Sequence, residues 1–406
     1  MASIADRTGR AALRWLVVLL GAAVFLNYVD RGAVGIAAPL MKGDLKLTNE
    51  QFGIAVSAFF WIYAPVQLVV GWLCDRFSVT RILAGGVLLW AASTLLIGFA
   101  GGFASLLVLR VLLGVGESIA FPASSKIIAE QVPAGGRGAA NAIVSAALAL
   151  GPAVGTLAGG AILASLGWRA IFWIFGVITL VWLLPWSRAA RTLAAGRERP
   201  APVPLGRLLG RWSLWAMSIA HFASNYTFYF LLTWLPLFLT KSQGYTIWQM
   251  TLLATFGYAV QAAAATVAGT LSDRWTRAGH DEGRIRRAMM VGGQLVAAVA
   301  VLGIFVAGSG PILALMLALA GAATGVLSLN TYAVGQMFAG PRAAGSWIGF
   351  QNALGNMSGI LGPIVTGALV DNAGYASAFL VTGAVALFGA LWWLVAVPRI
   401  HQVALD

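Results

Sequence analysis

The sequence is poor in the groups that build soluble catalytic and redox chemistry. It has one cysteine, Cys74, and three histidines in 406 residues. A single thiol excludes an intramolecular disulfide and any zinc or iron–sulfur centre built on cysteines. Charged residues make up 10% of the chain, against roughly 25% in soluble globular proteins. No Gly-x-x-x-x-Gly-Lys-Ser/Thr loop is present to cradle ATP phosphates. Polar sequence is rare too, and its one long stretch is residues 188–211. Metal, cofactor and enzyme chemistry are therefore not expected.

What the chain has in place of these is apolar sequence, with 60% hydrophobic residues. No water-soluble core of this size hides so much. A bilayer core about 30 Å thick is crossed by a helix of roughly 20 apolar residues. Runs of suitable length fall at 13–38, 51–73, 80–99, 103–130, 138–164 and 169–187, and again at 212–239, 247–271, 287–308, 311–337, 343–370 and 374–397. They predict an all-α membrane protein of twelve transmembrane helices in two six-helix bundles, 1–187 and 212–406, joined by a basic linker, 188–211. The first run follows Arg7, Arg10 and Arg14 and is long enough to span, so it reads as an uncleaved first span.

The net charge of +13 raises nucleic acid as a partner, but the placement of the charge argues for a lipid bilayer. Lys and Arg sit in short loops, as topology determinants do. With the N-terminus inside, the inner side receives Arg76, Arg81, Lys126, Arg137, the linker, Arg274, Arg284, Arg286, Arg287, Arg342 and Arg399. The outer side receives Lys42, Lys46, Arg169 and Lys241. Both termini are therefore expected in the cytoplasm.

The two halves share a phrase. Gly71-Trp72-Leu73-Cys74-Asp75-Arg76, with Arg81 beyond it, follows the second span, and Gly269-Thr270-Leu271-Ser272-Asp273-Arg274 follows the eighth. The glycine permits close helix approach, and the Asp and Arg can pair across the loop or with a helix end. Gly71, Asp75, Arg76, Arg81, Asp273 and Arg274 are thus candidate gating residues.

Four charges fall within the core of the spans: Asp30, Arg31, Arg110 and Glu117. Each costs at least ~2.5–3.5 kcal/mol at the bilayer centre, which makes it a functional candidate. Their charges sum to zero. Arg110, Gly114 and Glu117 lie at i, i+4 and i+7 on one face of helix 4. Asp30 and Arg31 project about 100° apart, so Arg31 is expected to face a cavity and Asp30 a neighbouring helix, helix 4. Two arginines form a clamp for a carboxylate or phosphate. A buried carboxylate can take up a proton near neutral pH, so Asp30 and Glu117 are candidate proton-coupling groups. Tyr28, Tyr63, Gln67, Tyr226, Tyr229, Asn352 and Asn356 are polar groups within spans, able to bind substrate hydroxyls or to link helices. Asn352 and Asn356 share one face of helix 11. His221, near the inner end of helix 7, is expected to be interfacial. Gly151-Pro152-Ala153-Val154-Gly155 and Gly359-Ile360-Leu361-Gly362-Pro363 permit close packing and bending.

These features resemble the major facilitator superfamily, whose commonest signature is the Gly-x-x-x-Asp-Arg-x-x-x-x-Arg phrase. A narrower resemblance rests on Asn27-Tyr28-Val29-Asp30-Arg31, on Arg110-Val111-Leu112-Leu113-Gly114-Val115-Gly116-Glu117-Ser118 with Phe121-Pro122, and on Asn225-Tyr226-Thr227-Phe228-Tyr229 with Thr233-Trp234-Leu235-Pro236. It is to the anion:cation symporter family, which includes bacterial galactonate, glucarate and hexuronate transporters and sialin. The chain departs from that family at Ser124 and Ser125, where Asn is usual nearby, and at Gln131–Arg137. The resemblance implies a monomeric secondary transporter, a symporter of a proton and a small organic anion, with a sugar acid the favoured class. An efflux antiporter of amphiphilic compounds, suggested by the helix 5 phrase, is disfavoured by the two arginines. An organophosphate:phosphate exchanger would need deep cations in both halves.

Overall fold

The computed structural model describes residues 4–132, 134–192 and 205–403, so half of the predicted linker, 193–204, lies outside the described residues. Several helices extend past their apolar runs, because backbone hydrogen bonding continues where side chains turn polar. Span 1 is Ile4–Asp44, span 2 Asn49–Arg76 and span 3 Val79–Ile97. Span 5 is Ala134–Leu166, span 6 Trp168–Ala189, span 7 Trp212–Leu237, span 8 Ile247–Arg277 and span 9 Glu282–Val306. Two long helices complete the chain. Pro311–Asn356 turns at Gly340 (φ +63) and Ser358–Val395 turns at Gly374 (φ +77). Those backbone angles suit glycine and strain any side chain. Span 10 is therefore 311–339, span 11 is 341–373 and span 12 is 375–395. Among the described residues, nine stretches meet the length and apolarity needed to cross a bilayer. One of these, Ser346–Val395, holds a span on either side of Gly374, and spans 2 and 7 complete the twelve.

Span 4 differs from the uninterrupted run expected at 103–130. It consists of Phe103–Glu117 and Ala120–Gln131. The cause is Pro122, whose ring collides with the carbonyl four residues back, that of Ser118. The helix breaks there, immediately after Glu117.

The chain forms two compact units, Met1–Lys46 with Ala58–Arg199, and Leu47–Ser57 with Pro200–Asp406. In the first, span 1 packs on spans 5 and 6, and span 3 on spans 4 and 6. In the second, span 8 packs on span 10 and span 9 on spans 10 and 12. Its core includes Met217, Met290, Phe338, Trp347 and Trp393. Large apolar side chains such as Leu184, Val299, Leu380 and Leu391 stay exposed, as helices surrounded by lipid require.

Glycines set the closest approaches. A methyl group at Gly114 would overlap the carbonyl oxygen of Phe59 in span 2, and one at Gly116 would lie 2.6 Å from the backbone nitrogen of Trp90 in span 3. A methyl at Gly151 would lie 2.6 Å from Cβ of Tyr28, and one at Gly155 2.8 Å from Cα of Val29. The glycines of spans 4 and 5 thus bring their backbones against residues next to the buried charges in sequence or in contact with them. In the second unit, Gly321 of span 10 meets the carbonyl of Gly257 in span 8 in the same way.

A repeated capping device was not evident in the sequence pattern. Thr48 and Gln51 form a capping box at the start of span 2, with Gln51 N–H donating to Thr48 Oγ1 at 3.0 Å and Thr48 N–H to Gln51 Oε1 at 3.1 Å. Thr246 and Gln249 do the same at the start of span 8, at 3.2 and 3.0 Å.

Candidate functional site

The first unit holds a buried cluster centred on Arg31. Its Nη2 donates to Asn27 Oδ1 at 3.1 Å, to Tyr63 Oη at 3.1 Å and to Glu117 Oε2 at 3.2 Å. The Arg31–Glu117 ion pair is almost dry, with side chains 6% and 0% exposed. The guanidinium carbon lies 4.6 Å from the Tyr28 ring centroid, 5.0 Å from that of Tyr63 and 5.4 Å from that of Phe59. The guanidinium carbon of Arg110, also buried, lies 4.9 Å from the Phe59 ring centroid. Phe59 therefore touches both guanidinium groups. Cation–π contacts of this kind strengthen when desolvated.

Each element contributes for a local reason. Asn27 and Arg31 are one turn apart on span 1, so they share a face. Tyr63 follows Phe59 by one turn on span 2, and their rings stack at 5.1 Å. Glu117 ends the first segment of span 4, where Gly114 and Gly116 let it lie against spans 2 and 3. Its Oε1 is buried and has no hydrogen-bond partner among the described residues. The Asn27 amide adds a long contact of 3.5 Å to the Glu117 carbonyl oxygen.

Asp30 is elsewhere. It does not turn to span 4, as expected from the sequence, but to span 3. Trp90 Nε1 donates to Asp30 Oδ2 at 2.5 Å and Thr94 Oγ1 donates to the same oxygen at 3.4 Å. The turn of about 100° per residue sends it away from Arg31, and Gly116 draws Trp90 in beside it.

The second unit gathers Tyr229, Asn352 and Asn356 with one residue that sequence reasoning passed over, Tyr332. Tyr229 Oη donates to Asn356 Oδ1 at 2.6 Å, Asn356 Nδ2 to the Asn352 carbonyl at 2.9 Å, and Tyr332 Oη to Asn352 Oδ1 at 3.1 Å. Tyr226 is buried one turn before Phe230 on the same span. His221 is 2% exposed, packed edge-on to Tyr332 at 5.6 Å and against Gly355. The expected interfacial position is thus corrected, since the spans around it close over the ring. Phe59, Trp90 and Thr94 were also missed, and Asn27 was quoted in a motif without a role. An aromatic or threonine in an apolar run gives no sequence signal of its partner.

Of the repeated loop phrase, Arg81, Asp273 and Arg274 are exposed. The surroundings of Gly71, Asp75 and Arg76 lie outside the described residues.

Twelve spans, with four charges buried in the first unit, define a multi-pass integral membrane protein of the transporter class. The chain belongs to the Major Facilitator Superfamily, which it matches over residues 20–280 and 282–404. Members of that superfamily are transporters and not enzymes. The probable sulfoacetate transporter SauU of Cupriavidus necator is 29% identical over 400 residues, covering 90% of each chain. The probable galactarate/D-glucarate transporter GudP of Escherichia coli is 29% identical over 439 residues, covering 99% of this chain and 97% of its own. The resemblance to the anion:cation symporter family agrees with these relatives. In structure, the chain superposes on a bacterial homologue of the human lysosomal transporter Spinster, inward-facing and unoccupied, with a TM-score of 0.82 at 19% identity, covering 96% of this chain and 98% of that one. That likeness establishes the major facilitator fold.

Proposed function

We propose that the protein is a proton-coupled symporter that takes up a small organic anion, a sugar acid by preference, by alternating access of the halves 1–187 and 212–406 about the linker 188–211. It works as a monomer in the bacterial inner membrane with both termini cytoplasmic. The observation that carries this reading is the dry Arg31–Glu117 ion pair at 3.2 Å. Apolar packing would hold two helices at lower cost than a buried ion pair, so the pair has a use beyond cohesion. A substrate carboxylate offers Arg31 a bidentate partner. Once Arg31 and Arg110 turn to the substrate, Glu117 is left as a buried anion that neither cation offsets, which costs several kcal/mol. A proton removes that cost. Anion binding and proton binding therefore favour each other.

Arg31 and Arg110 are assigned to the anion, with Tyr28 and Tyr63 framing it. Tyr226, Tyr229, Asn352 and Asn356 are assigned to substrate hydroxyls. Glu117 and Asp30 are assigned to proton coupling. Gly71, Asp75, Arg76, Arg81, Asp273 and Arg274 are assigned to gating. The relatives named for sulfoacetate and for galactarate and glucarate support an anionic substrate. The test is a thermal-shift screen of purified protein against sugar acids, dicarboxylates, sulfonates and organic cations, followed by uptake of the hits into proteoliposomes. A ligand that binds the native state raises its apparent stability. The reading expects an anion among the hits and accumulation driven by an inward proton gradient. Stabilisation by cations alone would overturn it.

A further inference from the structure

Span 2 is a single helix, Asn49–Arg76, yet its first turns belong to the second unit, with Leu47–Ser57 counted there and Ala58 onward in the first. Those first turns are seated on span 11 through one carboxylate. Asp371 Oδ1 accepts from Asn49 Nδ2 at 2.6 Å and from the Asn49 backbone N–H at 3.3 Å, and Asp371 Oδ2 accepts from the Glu50 N–H at 2.7 Å. The first N–H groups of a helix have no partner within it. Here Thr48 satisfies Gln51, and Asp371 satisfies the two that remain before the regular ladder begins with Phe52 N–H to the Thr48 carbonyl at 3.0 Å. A negative charge at this end also complements the helix dipole. The matching box at the start of span 8 has no such partner, since no carboxylate accepts from Ile247 or Trp248 N–H among the described residues. The cap on span 2 is therefore an addition to the repeated pattern.

The backbones below the cap touch. A methyl group at Gly367 would lie 2.5 Å from the Asn49 carbonyl oxygen, and one at Gly53 would overlap the carbonyl of Pro363. Phe52 completes the seat edge-on to the buried Trp234 of span 7, at 5.8 Å.

We propose that Asp371 is a latch that holds the start of span 2 on span 11 and lets go when this face of the protein opens. The proposal rests on the alternating-access reading. A helix shared between two units must unseat one end, or bend, whenever the units part. Three hydrogen bonds converging on one carboxylate, over a seat where glycines meet backbone, form and break together as a unit.

The experiment uses the full chain in detergent with Cys74→Ala and Phe52→Cys. Phe52 is fully buried, and loss of its ring is common to every variant compared. The rate of maleimide labelling at position 52 reads how often the seat opens. Asp371→Ala and Asp371→Asn should each raise that rate by at least roughly tenfold, equivalent to about 1.4 kcal/mol. Gly367→Ala should raise it independently by prying the same seat. Where Asp371→Ala does not fold, Asp371→Asn carries the test. Unchanged labelling in a folded Asp371 variant, beside faster labelling in Gly367→Ala, would overturn the latch. The readout needs neither substrate nor proton gradient, so a failed transport assay leaves it standing and a failed latch leaves the symport reading standing.

Discussion

Arg31 is the residue on which the charged cluster turns, and its geometry makes its replacement by lysine informative. An ammonium keeps the charge but cannot offer two parallel donors or lie flat on the Tyr28 ring. Arg31→Lys should weaken binding of the organic anion by at least about 1.4 kcal/mol, or tenfold, and isothermal titration with a hit from the stability screen checks it. Wild-type affinity in both Arg31→Lys and Arg110→Lys would remove the clamp. Asp30 makes a different prediction. Trp90 Nε1 donates to it at 2.5 Å in a fully buried setting. Trp90→Phe should destabilise the protein by about 1–3 kcal/mol, because the carboxylate loses a donor it cannot replace. Asp30→Asn in that background should recover part of the loss in melting temperature, and additive losses would show that the two residues do not depend on each other. The sequence made it legible that Asp30 and Arg31 diverge, since consecutive residues on a helix must. Which helix receives Asp30 was not legible, because that depends on how closely span 3 approaches.

At the scale of the element, glycine placement decides whether the charges meet. Gly114 lies on the same face as Arg110 and Glu117, and a methyl there would overlap the Phe59 backbone. Backbone cannot swing aside as a side-chain tip can. Gly114→Ala should cost about 1–3 kcal/mol of stability, the usual range for overpacking. It should also weaken anion binding, since span 4 would shift away from Phe59. Gly43→Ala, with nothing within 4 Å of the added methyl, is the matched control and should lower neither melting temperature nor affinity. The twelve apolar runs made the spans legible, and the phrases Gly151–Gly155 and Gly359–Pro363 announced close packing. Their partners were hidden, because a glycine in sequence does not say which helix it admits. The break in span 4 was legible in principle from Pro122 acting on Ser118, but an unbroken apolar run conceals it. Tyr332 and the buried seat of His221 were hidden for the same reason as Trp90, as nothing in an isolated apolar span marks the side on which a neighbour lies.

For the whole molecule, the first matter is sidedness. Lys and Arg are concentrated in alternate loops, so single cysteines at Thr192 and Lys46, in a Cys74→Ala background, should react with an impermeant reagent from opposite sides of the membrane. Reaction of both from one side would reject the twelve-span topology. The second matter is coupling, which requires the protein to reorient when loaded or empty and to resist reorienting when half loaded. Glu117 supplies a physical reason for such resistance. With substrate on both Arg31 and Arg110 and no proton on Glu117, a buried carboxylate stands uncompensated, with Oε1 already lacking a hydrogen-bond partner among the described residues. Closing the site around it would cost several kcal/mol. Glu117→Gln removes the charge permanently and keeps the shape, so the loaded protein should reorient freely at any pH. Counterflow of labelled against unlabelled anion should persist in this variant. Net accumulation against a gradient should vanish when only a proton gradient is imposed, because no proton accompanies the substrate at this position. Wild-type protein should accumulate with acid outside and should lose accumulation when the two sides are brought to equal pH. Gradient-driven accumulation by Glu117→Gln equal to wild type would assign the proton to another group. Loss of counterflow as well would mean that Glu117 is needed to hold Arg31 in place rather than to carry the proton.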